Sequence, residues 1–229
     1  MKKELVILLF LVLATSCAAV TRPPLNIPYT HQKGPSCVPS QVTMALNYYY
    51  YPEKQYTLEQ VNSMIGRKGE KWTWFSQALP VLVQEGLDPY YYSTTPYYQL
   101  SPEFVIEYYG EEDGRLINEV TDWKLLNKSI VFLETTDRYE NRKLTWQEVE
   151  QAFDRGNVIL MIIDYNTVMG NPGIYSGHGV TVTYINQTHV LFHNSAKGPN
   201  QKALKQDFIN AWNAKGTDND AIIIQGRLQ

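Results

Sequence analysis

Cysteine is nearly absent from this chain: 229 residues hold two, Cys17 and Cys37, too few for a disulfide framework. No C-x-x-C pair and no H-E-x-x-H helix is present, and the four histidines, His31, His178, His189 and His193, are scattered, so no metal pattern is read and no cofactor is expected. Basic runs are missing as well. Lys and Arg number 20 against 23 Asp and Glu, with a net charge of −3, which leaves no electrostatic case for nucleic acid as a partner. The one long apolar run, Leu5 to Leu13, is too short to cross a bilayer, which takes about 20 residues. What remains is 44% hydrophobic and 19% charged, enough to bury a sizeable core in one globular domain.

The N-terminus carries a separate signal: Lys2 and Lys3, the apolar run, then Ala14-Thr15-Ser16-Cys17. This resembles a bacterial lipoprotein signal peptide with its lipobox, although Ala14 stands where Leu is usual. The resemblance implies cleavage before Cys17, lipidation of Cys17, and an envelope protein held by that lipid on the extracytoplasmic side of a membrane. An ordinary secretory peptide is the other reading. Residues 1–17 are thus expected to be signal and lipobox, 18–26 a Pro-containing tether, and 27–229 the domain. Cys37 is then the only thiol of the mature domain. A Cys17–Cys37 disulfide is the competing account.

Around Cys37 the chain has the look of a nucleophile at a helix start. Gly34 and Pro35 break what precedes, Pro39 suits the first helical turn, and Val42, Ala45, Leu46 and Tyr49 recur at helical spacing. The unpaired N–H groups there favour an anion, so the position predicts a lowered thiol pKa. Further on, Thr57 with Gln60 and Thr145 with Glu148 are capping boxes. A third helix is expected from Ser76 to Glu85, stopping at Gly86, and a strand from Ser129 to Glu134. Val158 to Ile163 reads as a buried strand. The pair 178–184 and 190–194 reads as a hairpin about Asn186-Gln187-Thr188. Helices first and an antiparallel sheet later make an α+β fold. The 17 tyrosines read mainly as core margin, with a stacking rim for peptide or glycan as the alternative.

A thiol nucleophile needs a base. His178 opens a strand directly after a Gly-rich loop and shares parity with Val180 and Val182, which puts it at a strand end, where clefts form. Asn194, on the adjacent hairpin strand, is the candidate to orient its ring. Gln32, five residues before Cys37 across a Gly-Pro turn, is the candidate side-chain donor of an oxyanion hole, with the Cys37 N–H as the second donor.

Together these residues resemble the C39 peptidase-like family of the papain-like cysteine peptidase fold, in which a Gln precedes the Cys by five positions. The likeness spans most of the mature chain, including Glu85-Gly86-Leu87, Gly177-His178 and His193-Asn194-Ser195. Val38 stands where the family usually has Gly, Ser36 where it often has Asp, and Asn194 where Asp is commoner. The resemblance implies N-terminal helices packed on an antiparallel sheet, and a thiol hydrolase acting on a peptide bond through Cys37, His178 and Asn194 with Gln32 in the oxyanion hole. A polypeptide is the implied substrate. A catalytically inactive peptide- or protein-binding lipoprotein of the same fold is the alternative.

Overall fold

The structure is a computed structural model that describes residues 22–171, 173 and 175–228. The signal segment, Cys17 and the first tether residues lie outside the described residues. Helix α1 (Cys37–Tyr50) is followed by α2 (Leu58–Ile65), a 3-10 turn (Phe75–Gln77), α3 (Ala78–Gln84) and β1 (Leu87–Ser93). A second 3-10 turn (Tyr97–Gln99) leads into α4 (Pro102–Tyr109), α5 (Glu111–Val120) and α6 (Trp123–Thr135). Then come β2 (Tyr139–Asn141), α7 (Trp146–Asp154), β3 (Val158–Asp164) and the short α8 (Tyr165–Val168). The chain closes with β4 (Gly177–Ile185), β5 (His189–Asn194), β6 (Gly198–Leu204), α9 (Lys205–Trp212) and β7 (Ala221–Arg227).

The strands form one seven-stranded sheet in the order β2-β1-β7-β3-β4-β5-β6. All its pairs are antiparallel except the β1–β2 edge. This is the expected α+β architecture, with N-terminal helices on an antiparallel sheet. β3 is central because its sequence allows nothing else: Val158, Ile159, Leu160, Met161 and Ile163 are all fully buried, and each such side chain contributes about 1.5–3 kcal/mol. Neighbouring β7 repeats the pattern with Ile222, Ile223 and Ile224. The β4–β5 turn is held by Asn186, whose Oδ1 accepts the N–H groups of Thr188 and His189.

Both capping boxes form. Thr57 and Gln60 exchange bonds at 3.2 and 2.8 Å, and Thr145 and Glu148 at 3.2 and 2.7 Å. One expected strand is absent: residues 129–134 lie inside α6. The run Ser-Ile-Val-Phe-Leu-Glu has β-forming residues, but Leu126, Ile130 and Leu133 fall at i, i+4 and i+7 and bury one helical face, whereas Val131 is exposed. Tertiary packing on that stripe outweighs local strand preference.

Candidate active site

Cys37 is the first residue of α1. The turn before it is set by Gly34 at φ +58°, a left-handed conformation, and by Ser36, whose Oγ donates to Lys33 O and accepts from Lys33 N. α1 is one of the most buried helices, closed over from Val38 to Asn47, so its N-terminus is held firmly against the sheet. Gly179 makes that approach possible. A Cβ there would come within 2.3 Å of Gln41 Oε1 and 3.5 Å of the Cys37 carbonyl carbon.

The Cys37 sulfur is met by the N–H groups of Gly179, Val38 and Cys37 itself, and the Arg67 guanidinium adds a favourable charge. Burial nevertheless acts more strongly than these donors and pushes the thiol up from its ordinary value. The lowering expected from the helix start is therefore reversed in direction. The N-terminal donors are present, but desolvation, a consequence of tertiary packing, exceeds them.

His178 lies one residue before Gly179, opposite Ile163 in the sheet register. Burial pushes its pKa down, which favours the neutral ring. Asn194 opposes that shift by hydrogen bonding, and Lys197 adds to it. Asn194 pairs with Val180 across β4 and β5 and so shares a sheet face with His178. Its Oδ1 already accepts the N–H groups of Ala196 and Lys197 at 3.0 and 3.1 Å. His178 Nε2 is buried without a hydrogen-bond partner among the described residues. The Tyr165 ring packs edge-on against His178 at 6.1 Å.

Gln32 lies beside Asn194 rather than free in solvent. Its backbone N–H donates to Ser195 O at 2.9 Å, its Oε1 accepts from Ser195 Oγ at 2.7 Å, and its Nε2 donates to Gly34 O at 3.0 Å. One N–H of that amide is thus engaged and the other is unassigned. Tyr29 ties the same corner together, its hydroxyl donating to Asn194 O and Ser195 O. Gln32 is thus bonded to Ser195, the neighbour of Asn194, while Gly179, the neighbour of His178, closes on the start of α1. Of the other histidines, His31 Nδ1 lies 3.3 Å from the Tyr29 hydroxyl, and His193 packs edge-on against the Tyr29 ring, its Nε2 meeting Ile27 O and its Nδ1 accepting Asn200 N–H, a buried structural role.

Several residues of this region carry no sequence signal of their own. Asp164, at the end of β3, receives the N–H of Ser176 and of Asn166 and the Thr167 hydroxyl, and so anchors both ends of the loop that leads into His178. Tyr175 lies within electrostatic range of Cys37, and its hydroxyl donates to Gly216 O at 2.5 Å. Arg67 follows the Gly66 cap of α2, where an isolated arginine reads as surface. Among the described residues no cluster of His, Cys, Asp or Glu is arranged to hold a metal.

No family model and no curated protein matches this chain in sequence. Solved structures do resemble it. One is a double glycine motif protease from an AMS/PCAT transporter in complex with the leader peptide, at 15% identity, covering 90% of this chain and 95% of that one, with a TM-score of 0.47. Another is the peptidase domain of Streptococcus ComA, a bi-functional ABC transporter involved in a quorum sensing pathway, at 10% identity, 88% and 98% coverage and a TM-score of 0.46. A third is a C39-like peptidase from Bacillus anthracis, at 12% identity, 89% and 96% coverage and a TM-score of 0.46.

Proposed function

We propose that this protein is a cysteine peptidase, or a related acyl-transferring thiol hydrolase, that acts on a peptide bond through Cys37, His178 and Asn194. The observation that supports this best is the junction at Gly179: the start of α1 closes on β4 so tightly that a Cβ at Gly179 would stand 2.3 Å from Gln41 Oε1 and 3.5 Å from the Cys37 carbonyl carbon, and His178 is its neighbour in the chain. Burial pushes the thiol up and the imidazole down, which favours thiol and neutral base over an ion pair. The Cys37 proton then passes to His178 as the sulfur attacks the carbonyl carbon. The tetrahedral oxyanion is met by the Cys37 N–H and by the unassigned N–H of Gln32. Collapse breaks the C–N bond, the amine leaves with the proton from His178, and water, deprotonated by His178, hydrolyses the thioester to restore the thiol.

The same reading makes Cys17 a lipid-bearing residue and the domain an envelope protein facing away from the cytoplasm. Leu25 N–H is bonded to Thr183 O, so only a short tether separates residue 17 from the sheet. Palmitate-analogue labelling is expected in the wild type and not in Cys17→Ala; equal labelling of both ends this part of the reading.

The test of the chemistry is cleavage of a diverse peptide library read by mass spectrometry, with trapping of the acyl-enzyme at Cys37. Cys37→Ala is expected to abolish both, and His178→Ala to lower turnover by at least ~10³-fold with a folded protein. Cleavage that persists in Cys37→Ala, or a wild-type chain that binds peptides without forming a thioester, overturns the enzyme.

A further inference from the structure

Gln41 lies one turn after Cys37 on α1 and is fully buried. Its Nε2 donates to Val180 O at 2.6 Å and to Met161 O at 3.2 Å, the carbonyls of two residues that face each other across β4 and β3. Two carbonyl partners identify that end of the amide as the donor. The other end, Oε1, is buried with no hydrogen-bond partner among the described residues and rests against Gly179. A buried acceptor left unpaired is a cost, and an apolar side chain of similar length would fill the space without it. Fold stability alone therefore leaves the unpaired Oε1 unexplained.

Its placement accounts for it. A helical side chain leans back toward the preceding turn, here the turn that carries Cys37. From there one planar amide bridges β3 and β4 at the Met161–Val180 pair, one residue beyond Gly179 and two beyond His178. We infer that Gln41 is a positioning residue of the candidate site: its amide locks the start of β4 to the start of α1, so that the Gly179 N–H stays on the Cys37 sulfur and His178 stays beside it. The inference rests on the reading of Cys37 as the nucleophile and adds to it what ties the nucleophile's helix to the base's strand.

Gln41→Met keeps length and removes both donors. Iodoacetamide alkylation of the Cys37 peptide, followed by mass spectrometry over a pH series, is expected to shift to higher pH, with a rate at neutral pH about tenfold lower, the weight of one lost hydrogen bond to a charged group. The thermal midpoint is expected to fall only modestly, because two carbonyls lose a donor while one unpaired buried acceptor is removed. Ser40→Ala, which removes a neighbouring buried oxygen that also lacks a partner, serves as the packing control and is expected to alkylate like wild type. A Gln41→Met profile that superimposes on wild type, or an equal slowing in Ser40→Ala, overturns the inference. If Gln41→Met does not fold, nuclear magnetic resonance of the wild type decides: the lock requires Gln41 side-chain amide protons protected from exchange and shifted when Cys37 is alkylated, and fast-exchanging protons refute it. A chain that cleaves no peptide yet shows the Gln41 shift loses the peptidase and keeps this inference. Peptide cleavage with an unshifted Gln41→Met profile does the reverse.

Discussion

Two buried polar regions of this molecule are built in opposite ways. In the cluster beneath β1 and β7, Tyr91 donates to Asp220 at 2.7 Å and meets the Tyr97 hydroxyl at 2.7 Å, while Tyr109 and Thr95 donate to Asp218 at 2.6 and 3.2 Å. None of these side chains leaves a buried polar atom unpaired. At the junction of α1 and β4, by contrast, Ser40 Oγ, Gln41 Oε1 and His178 Nε2 are all buried without partners among the described residues. Both regions carry titratable groups moved by burial, so a displaced pKa does not tell them apart. Satisfaction does. A closed network rigidifies a core, whereas unpaired polar atoms cost stability and persist where something other than stability retains them.

Gln32 offers the sharpest way to break this contrast, because it lies beside the junction yet has the well-paired side chain of the cluster. If it supplies an oxyanion donor, Gln32→Ala is expected to lower turnover by ~10²–10³-fold, about 2.7–4 kcal/mol of transition-state stabilisation, with a thermal midpoint close to wild type. Steady-state kinetics on any peptide the library test identifies, alongside calorimetry, checks this. Unchanged turnover with a lowered midpoint would make Gln32 a structural tie to Ser195 and the contrast less clean.

Tyr91→Phe examines the other side. It removes one hydroxyl, leaving Asp220 Oδ1 without its donor and Tyr97 without its acceptor. The expected loss is about 1–3 kcal/mol in denaturant unfolding, with peptide cleavage and Cys37 alkylation unaltered. A comparable fall in activity would mean that the two regions are coupled and that neither can be assigned a separate role.

How much of this was legible beforehand depended on range. Caps are local: Thr57 with Gln60, Thr145 with Glu148, and the Asn186 turn are readable because each bond spans three residues or fewer in sequence. The continuous run at β3 is readable because burial on both faces leaves no polar position. Cys37 at the start of a helix followed from Gly34, Pro35 and Pro39. The α6 segment was misread as a strand because a six-residue window hides the Leu126–Ile130–Leu133 stripe that decides it. Tyr90–Tyr92 carries no readable period because tyrosine suits both sides: Tyr91 is buried in the cluster, while Tyr90 and Tyr92 keep partial exposure and lie under Arg138 and Arg142. Gln41 was invisible since a glutamine in a helix reads as surface. The direction of the Cys37 shift was missed because desolvation belongs to the packed structure, whereas the helix-end donors belong to the sequence.

The smallest effect is expected at Asp220, and its sign is specific. Burial, reinforced by Asp218, raises the Asp220 pKa well above its ordinary 3.8, and the bonds from Tyr91 and Ser93 do not reverse this. A group whose pKa is higher folded than unfolded favours the fold fully below the unfolded value and loses that contribution as pH rises through the folded one. Wild-type stability is therefore drained on the alkaline side as Asp220 is forced to ionise in a buried site. Asn cannot ionise, and its Oδ1 retains the bond from Tyr91. Asp220→Asn should thus match the wild type near pH ~3, where the carboxyl is protonated folded and largely protonated unfolded, and exceed it in Tm at pH ~8. Melting curves at the two pH values measure the difference directly. A gap that stays constant with pH, or a variant less stable than the wild type at pH ~8, would mean that Asp220 ionises comfortably among its donors; the cluster would then hold a stabilised charge rather than a neutral, fully paired network.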